Sequence, residues 1–155
     1  MCSHDVIFYE PMAHNLQLLL LKSWIRCFMN NEGCKNAILI VEDNEDMQLL
    51  LTTILADEGF LIHQAYEDKS ALKIFERVKP ELVLLDLRLP GIDGIGVYKK
   101  MKEIDKDVMA FIITAYGDKY IEKEVRSLGA NDYFTKPFDN RLLIEKIKNA
   151  LSKIN

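Results

Sequence analysis

The stretch LVLLDLRLPGIDG, residues 82–94, runs four aliphatic side chains into a carboxylate and then into a proline-glycine turn. A charge at the end of an apolar run is costly unless it is solvated, paired or bound to a cation. Asp86 therefore either caps a turn or takes part in chemistry, and its surroundings decide which. Outward from this stretch, the chain from Ala37 onward alternates between two kinds of segment. Short apolar runs are AILIV (37–41), FLIHQA (60–65), LVLL (82–85), VMAFIIT (108–114) and NDYFT (131–135). Longer segments with helical spacing and charged faces cover 45–57, 68–78, 94–104, 118–128 and 139–152. Uninterrupted apolar runs fit strands buried on both faces, and a helix after each strand makes a parallel sheet covered on two sides. The expected fold is α/β, a doubly wound five-stranded parallel sheet of (βα)5 type. Gly59 and Gly129 stand where a helix closes on a left-handed residue before the next strand.

The 155 residues suffice for one domain with a substantial core. With 49% apolar and 28% charged residues, the composition is that of a soluble globular protein and excludes extensive disorder. The net charge of -4, with Lys and Arg scattered, gives no basic footprint and argues against direct nucleic-acid binding. Cys2, Cys27 and Cys34 match neither a zinc pattern nor a compact disulfide framework, so reduced thiols in a cytoplasmic protein are expected.

In doubly wound sheets the functional groups collect at the carboxyl ends of the strands. There the first strand ends in Glu42 and Asp43, the third in Asp86, and the fourth in Thr114 followed by Ala115; Lys136 and Pro137 follow the fifth. If the first and third strands are neighbours, about 5 Å apart, the three carboxylates crowd together and call for a cation. Oxygen-only ligation suits Mg2+ rather than zinc. Lys136, Thr114 and backbone amides suit an incoming phosphoryl group. Singly, these residues have plainer roles: Asp43 as a helix cap, Thr114 as a β-branched strand end, Lys136 as a solvated lysine. The conjunction favours chemistry. Asp93 with Gly94 is read as a turn and helix start, hence structural. His63 is expected on the second strand without a catalytic role.

The segments VED (41–43), LLDLRLPGIDG (84–94), ITAYG (113–117) and DYFTKPF (132–138) give residues 37–153 a resemblance to response-regulator receiver domains, the CheY-like members of the flavodoxin-type fold. The resemblance implies strand order 2-1-3-4-5 and a role for each matched position. Asp86 would take a phosphoryl group from a phosphohistidine. Glu42, Asp43, Asp86 and the backbone carbonyl of Arg88 would hold Mg2+; many members carry Asp where Glu42 stands, and the longer side chain suits contact through water. Thr114 and Lys136, with the amides of Leu87 and Ala115, would bind phosphoryl oxygens. The Lys136-Pro137 peptide is expected to be cis, and Thr114 with Tyr133 to form the switch. Implied partners are a sensor histidine kinase, a histidine phosphotransferase and a phosphatase.

The stretch from Glu81 to Val108, with TAYGD and TKPFD, is most similar to the single-domain phosphorelay intermediates of bacterial sporulation. Relay is thus favoured, and a stand-alone receiver without an output domain is expected. Arg88 and Tyr116, which in the family flank the line of water attack, are bulky enough to shield an acyl phosphate. The main rival is a phosphorylation-independent binding scaffold. A haloacid-dehalogenase-like phosphatase would need a second Asp two residues after Asp86, where Arg88 stands.

Within 45–57, Met47, Leu50, Leu51, Ile54 and Leu55 form the expected core stripe, while Leu49 points outward at 100° per residue. Met47 and Leu49 are therefore candidate docking residues for a partner helix; the plainer reading is a single exposed leucine. Residues 1–36 fall outside the receiver pattern, which leaves 37–155 as the domain. Residues 16–29 have the pattern of an amphipathic helix, but 14 residues span only about 21 Å, short of a bilayer. Three readings stay open: a helix packing on the domain or making a dimer, an interfacial membrane helix, or translated sequence preceding a native start at Met29. The assembly expected is a monomer or weak homodimer.

Overall fold

The computed structural model describes residues 36–89, 92–115 and 117–153, together with Leu18, Leu21 and Ile25. Those last three are helical and about half exposed. Otherwise the helix expected over 16–29 lies outside the described residues, as do Tyr116 and the Pro90-Gly91 turn. Five strands, β1 (Ala37–Val41), β2 (Leu61–Ala65), β3 (Leu82–Asp86), β4 (Met109–Thr114) and β5 (Asp132–Thr135), alternate with five helices. The helices are α1 (Glu45–Asp57), α2 (Asp68–Val78), α3 (Gly94–Ile104), α4 (Lys119–Ser127) and α5 (Asn140–Leu151). All strand pairs are parallel, in the order β2-β1-β3-β4-β5. A short antiparallel ribbon of Arg88–Leu89 with Ile92–Asp93, not expected from the sequence, joins β3 to α3. Among the described residues no helix is long and apolar enough to cross a membrane.

Strand side chains alternate between the two faces of the sheet. Leu39, Val41, Val83 and Leu85 pack on the side that holds Phe75 of α2 and Tyr98 and Met101 of α3. Ile38, Ile40, Leu82 and Leu84 pack on the other, against Leu51 and Leu55 of α1 and Leu143 and Ile147 of α5. Burying each such aliphatic side chain stabilises the fold by about 1.5–3 kcal/mol. β1 and β3, buried throughout, are thereby the rigid centre.

Helix starts follow capping chemistry. Asn44, Asp93, Asp118 and Asp139 each accept a hydrogen bond from a first-turn amide. Asn44, rather than Asp43, caps α1, while Asp93 is structural as expected, accepting from Ile95 N at 2.7 Å. Gly59 and Gly129 adopt φ of 90° and 93°, closing α1 and α4 in the left-handed region.

The stripe expected on α1 needs correction. The line facing the sheet is Gln48, Leu51, Thr52 and Leu55; Met47 and Ile54 are half-buried and Leu50 is exposed, like Leu49. Two polar residues take the inward places because each finds a partner there. Gln48 Nε2 donates to Ile40 O and Ala65 O, and Thr52 Oγ1 accepts from Gln64 Nε2 at 2.7 Å. Hydrogen-bonded polar groups tolerate burial, so the helix turns Leu50 to solvent.

His63 lies on β2 as expected, half-buried. Burial and the nearby positive charge of Arg77 hold its pKa below the ordinary 6.5. The folded chain therefore binds this proton more weakly than the unfolded chain. Its contribution is fully present above about pH 6.5 and is lost as pH falls through the lowered folded value. Urea midpoints should fall between pH 7.5 and 5.5, and His63→Gln should flatten that part of the profile.

Candidate functional site

Parallel pairing sets Val41 of β1 beside Leu85 of β3, so the residues that follow emerge together at the carboxyl edge. Carboxylate oxygens of Glu42, Asp43 and Asp86 all lie within 4.8 Å of one another. Glu42 and Asp86 are buried and Asp43 is exposed. Lys136 crosses from the end of β5 and donates to Glu42 Oε2 at 2.6 Å and to Asp86 Oδ2 at 2.7 Å. The turn that carries Lys136 is fixed by its own amide, which donates to Thr114 O at 2.8 Å, and the Lys136-Pro137 peptide is cis as expected.

Further bonds fix the carboxylates. Asp86 Oδ1 accepts from Arg88 N at 2.9 Å. Glu42 Oε1 accepts from Asn44 N at 3.2 Å, and the Glu42 amide donates to Ala65 O at 3.1 Å. Burial pushes the Glu42 carboxyl above its ordinary pKa; the Lys136 bond opposes this and the Asp86 charge adds to it. For Lys136, burial alone would favour the neutral amine. The bonds and charges of Asp86 and Glu42 outweigh it and raise the pKa, so the ammonium is the fixed charge of the site.

Three carboxylates contribute -3 and one ammonium +1, a net of -2, which is the charge a divalent cation cancels. The donors are all hard oxygens with neither imidazole nor thiolate, which fits Mg2+ and disfavours zinc. Glu42, Asp43 and Asp86 are the side chains able to hold it.

The remaining candidates surround this group. Thr114 is buried at the end of β4 and Ala115 follows it, exposed. Tyr133 pairs with Ile112, which places it two residues from Thr114 on the same sheet face. It is half-buried, and burial together with the charges of Glu122 in α4 and of Asp118 capping it raises its hydroxyl pKa. Leu87 is buried and the Arg88 side chain exposed. Met47 and Leu49 lie on the first turns of α1, and only Leu49 is exposed.

Asn44 and Gln48 escaped the sequence reading, and Gly94 was read only as part of a turn. At Gly94 a β-carbon would lie 2.4 Å from Leu87 Cα and 2.7 Å from the Asp86 carbonyl oxygen. The start of α3 thus backs directly onto the residue bearing the central carboxylate. The Asp-Gly dipeptide was the available signal, but it also reads as an ordinary turn.

Fold and site together define a doubly wound α/β domain with an acidic, lysine-bridged centre at its strand ends. Residues 38–148 match the response regulator receiver domain family, and the chain belongs to it. Receiver domains are phosphoacceptor signalling modules of two-component systems, and Mg2+ binding at an acidic pocket is typical of them. The chain is 41% identical over 116 residues to sporulation initiation phosphotransferase F of Bacillus subtilis (strain 168), covering 75% of this chain and 90% of that protein. Other curated relatives are longer, and the chain spans 23% to 51% of their length. Among solved structures, a CheY-like receiver domain from Methanospirillum hungatei JF-1 superposes with a TM-score of 0.73 at 28% identity, covering 77% of this chain and 95% of that one. A chain of the CheX-CheY-BeF3-Mg2+ complex from Borrelia burgdorferi gives 0.71 at 28% identity, covering 76% of this chain and 90% of that one.

Two stability predictions follow from the geometry. Lys136→Met leaves Glu42 and Asp86 buried without their cation and should cost about 3 kcal/mol in urea unfolding, with part recovered in millimolar Mg2+. Gly94→Ala forces a methyl group against backbone and should cost about 2–3 kcal/mol, read from the same midpoints.

Proposed function

We propose that the chain is a single-domain response regulator that takes a phosphoryl group from the phosphohistidine of a sensor histidine kinase onto Asp86 and passes it to a histidine phosphotransferase. The observation that carries this reading is Asp86 itself, a buried carboxylate joined through Lys136 to Glu42 with Asp43 alongside. A carboxylate needs no base to attack. An Asp86 oxygen bonds to phosphorus while the phosphorus-nitrogen bond breaks; the imidazole leaves with the electron pair and takes up a proton. The product is an acyl phosphate.

Lys136 holds the attacking carboxylate in place and offers its positive charge to the phosphoryl oxygens. Thr114 and the amides of Leu87 and Ala115 are the donors expected to bind those oxygens in transfer. Mg2+, held by Glu42, Asp43, Asp86 and the Arg88 carbonyl, would neutralise charge gathering on the phosphoryl group. Thr114 would then move toward the phosphoryl group, letting Tyr133 turn inward and change the surface around α4 and β5.

Relay is favoured over terminal output by the 41% identity to a protein named a phosphotransferase, over most of that protein's length. A phosphatase that unloads Asp86 is a further expected partner. We assign residues 37–155 to the receiver and 1–36 to an extension, with Leu49 available to a partner on exposed α1. The reading implies a cytoplasmic protein acting as a monomer or weak dimer.

Incubation with acetyl phosphate and Mg2+ should add the mass of one phosphoryl group to the wild type and none to Asp86→Asn. Equal labelling of both proteins would refute Asp86 as acceptor, and absence of labelling in both would favour the scaffold reading.

A further inference from the structure

Asp43 is exposed, and among the described residues no hydrogen bond holds its carboxylate, so the backbone on either side must aim it. On the strand side the Glu42 amide is tied to Ala65 O at 3.1 Å. On the helix side Asn44 caps α1, its carbonyl accepting from Gln48 N at 2.9 Å and its side chain from Met47 N at 2.9 Å. One side chain joins these two halves. Gln48, fully buried, directs Nε2 across the seam between β1 and β2, reaching Ile40 O at 3.2 Å and Ala65 O at 3.0 Å.

The orientation of this amide is unambiguous, because both neighbours are carbonyls and only the nitrogen can donate. Its oxygen has no partner among the described residues. A buried acceptor left unpaired is unfavourable, whereas an apolar side chain of similar size would meet no such cost. The donor end is therefore the reason for a glutamine here. Ala65 O accepts both from it and from the Glu42 amide, so the bond anchoring the acidic turn shares an acceptor with the bond anchoring α1.

We infer that Gln48 is a positioning residue for the cation site: it locks α1 to the ends of β1 and β2 and so aims Asp43, without touching the cation. The inference rests on the reading that the acidic cluster binds Mg2+. Gln48→Met keeps the volume and removes the donor. Its dissociation constant for Mg2+, from calorimetric titration of the full chain, should rise about tenfold, the lower end of the effect of losing a supporting partner at a metal site. A core change on α5, Ile147→Val, serves as the comparison at similar loss of urea stability and should leave the constant unchanged. Unaltered Mg2+ affinity in Gln48→Met, or an equal loss in Ile147→Val, overturns the inference. Failure of the wild type to bind Mg2+ removes the underlying reading instead.

A second measurement needs no variant. In the wild type the Gln48 side-chain amide protons should exchange slowly and shift on Mg2+ titration in step with the Asp43 backbone amide. Fast exchange or no shift also overturns the inference.

Discussion

The site depends on one ammonium placed between two buried carboxylates. Lys136 meets Glu42 and Asp86 at 2.6 and 2.7 Å, joining the ends of β1, β3 and β5. Two carboxylates so close and so buried would otherwise drive one of them to neutrality. The sheet order makes the arrangement possible, since β1 and β3 are neighbours and β5 lies only one strand beyond β4. A charged rim at the end of a fully apolar centre is then sustained by local pairing, and the core beneath need not adapt to it.

Much of this was legible in the sequence because its signals are strong and local. Runs such as AILIV and LVLL have no polar interruption, so they read as strands buried on both faces, and the structure buries every residue of β1 and β3. Gly59 and Gly129 marked helix ends through a backbone requirement that few other residues meet. The acids and Lys136 stood out because each follows an apolar run, where a charge lacks an ordinary reason to be.

What the sequence hid was polar burial and close backbone approach. Hydrophobic periodicity assigned Leu50 to the core and left Gln48 and Thr52 outside, since it weighs a side chain by its own polarity. Their partners, two strand-end carbonyls and Gln64, belong to other elements and enter no periodicity. Gly94 was hidden for a related reason: what forbids a β-carbon there is Leu87 and the Asp86 carbonyl, and only the folded ribbon brings them close. Asn44 and Asp43 are both acceptable caps by residue type. The choice between them is made by where β1 ends and by the pull of the Glu42 side chain on the Asn44 amide.

The elements differ in how firmly they are held, and this bears on how a change at Asp86 would spread. β1, β3 and most of β4 are buried, while α4 has one buried residue, Val125, and six of its nine residues exposed. Adding a doubly charged phosphoryl group at Asp86 would increase the negative charge in a site already at a net of -2. Glu42 would keep Lys136 near if its bond to Asp86 changed, so the adjustment would fall on groups that are less constrained. Thr114 lies at the end of β4, and Tyr133, on the same face, feels the negative charges of Asp118 and Glu122 at the start of α4. With so little apolar surface to uncover, α4 is the element that can move at least cost.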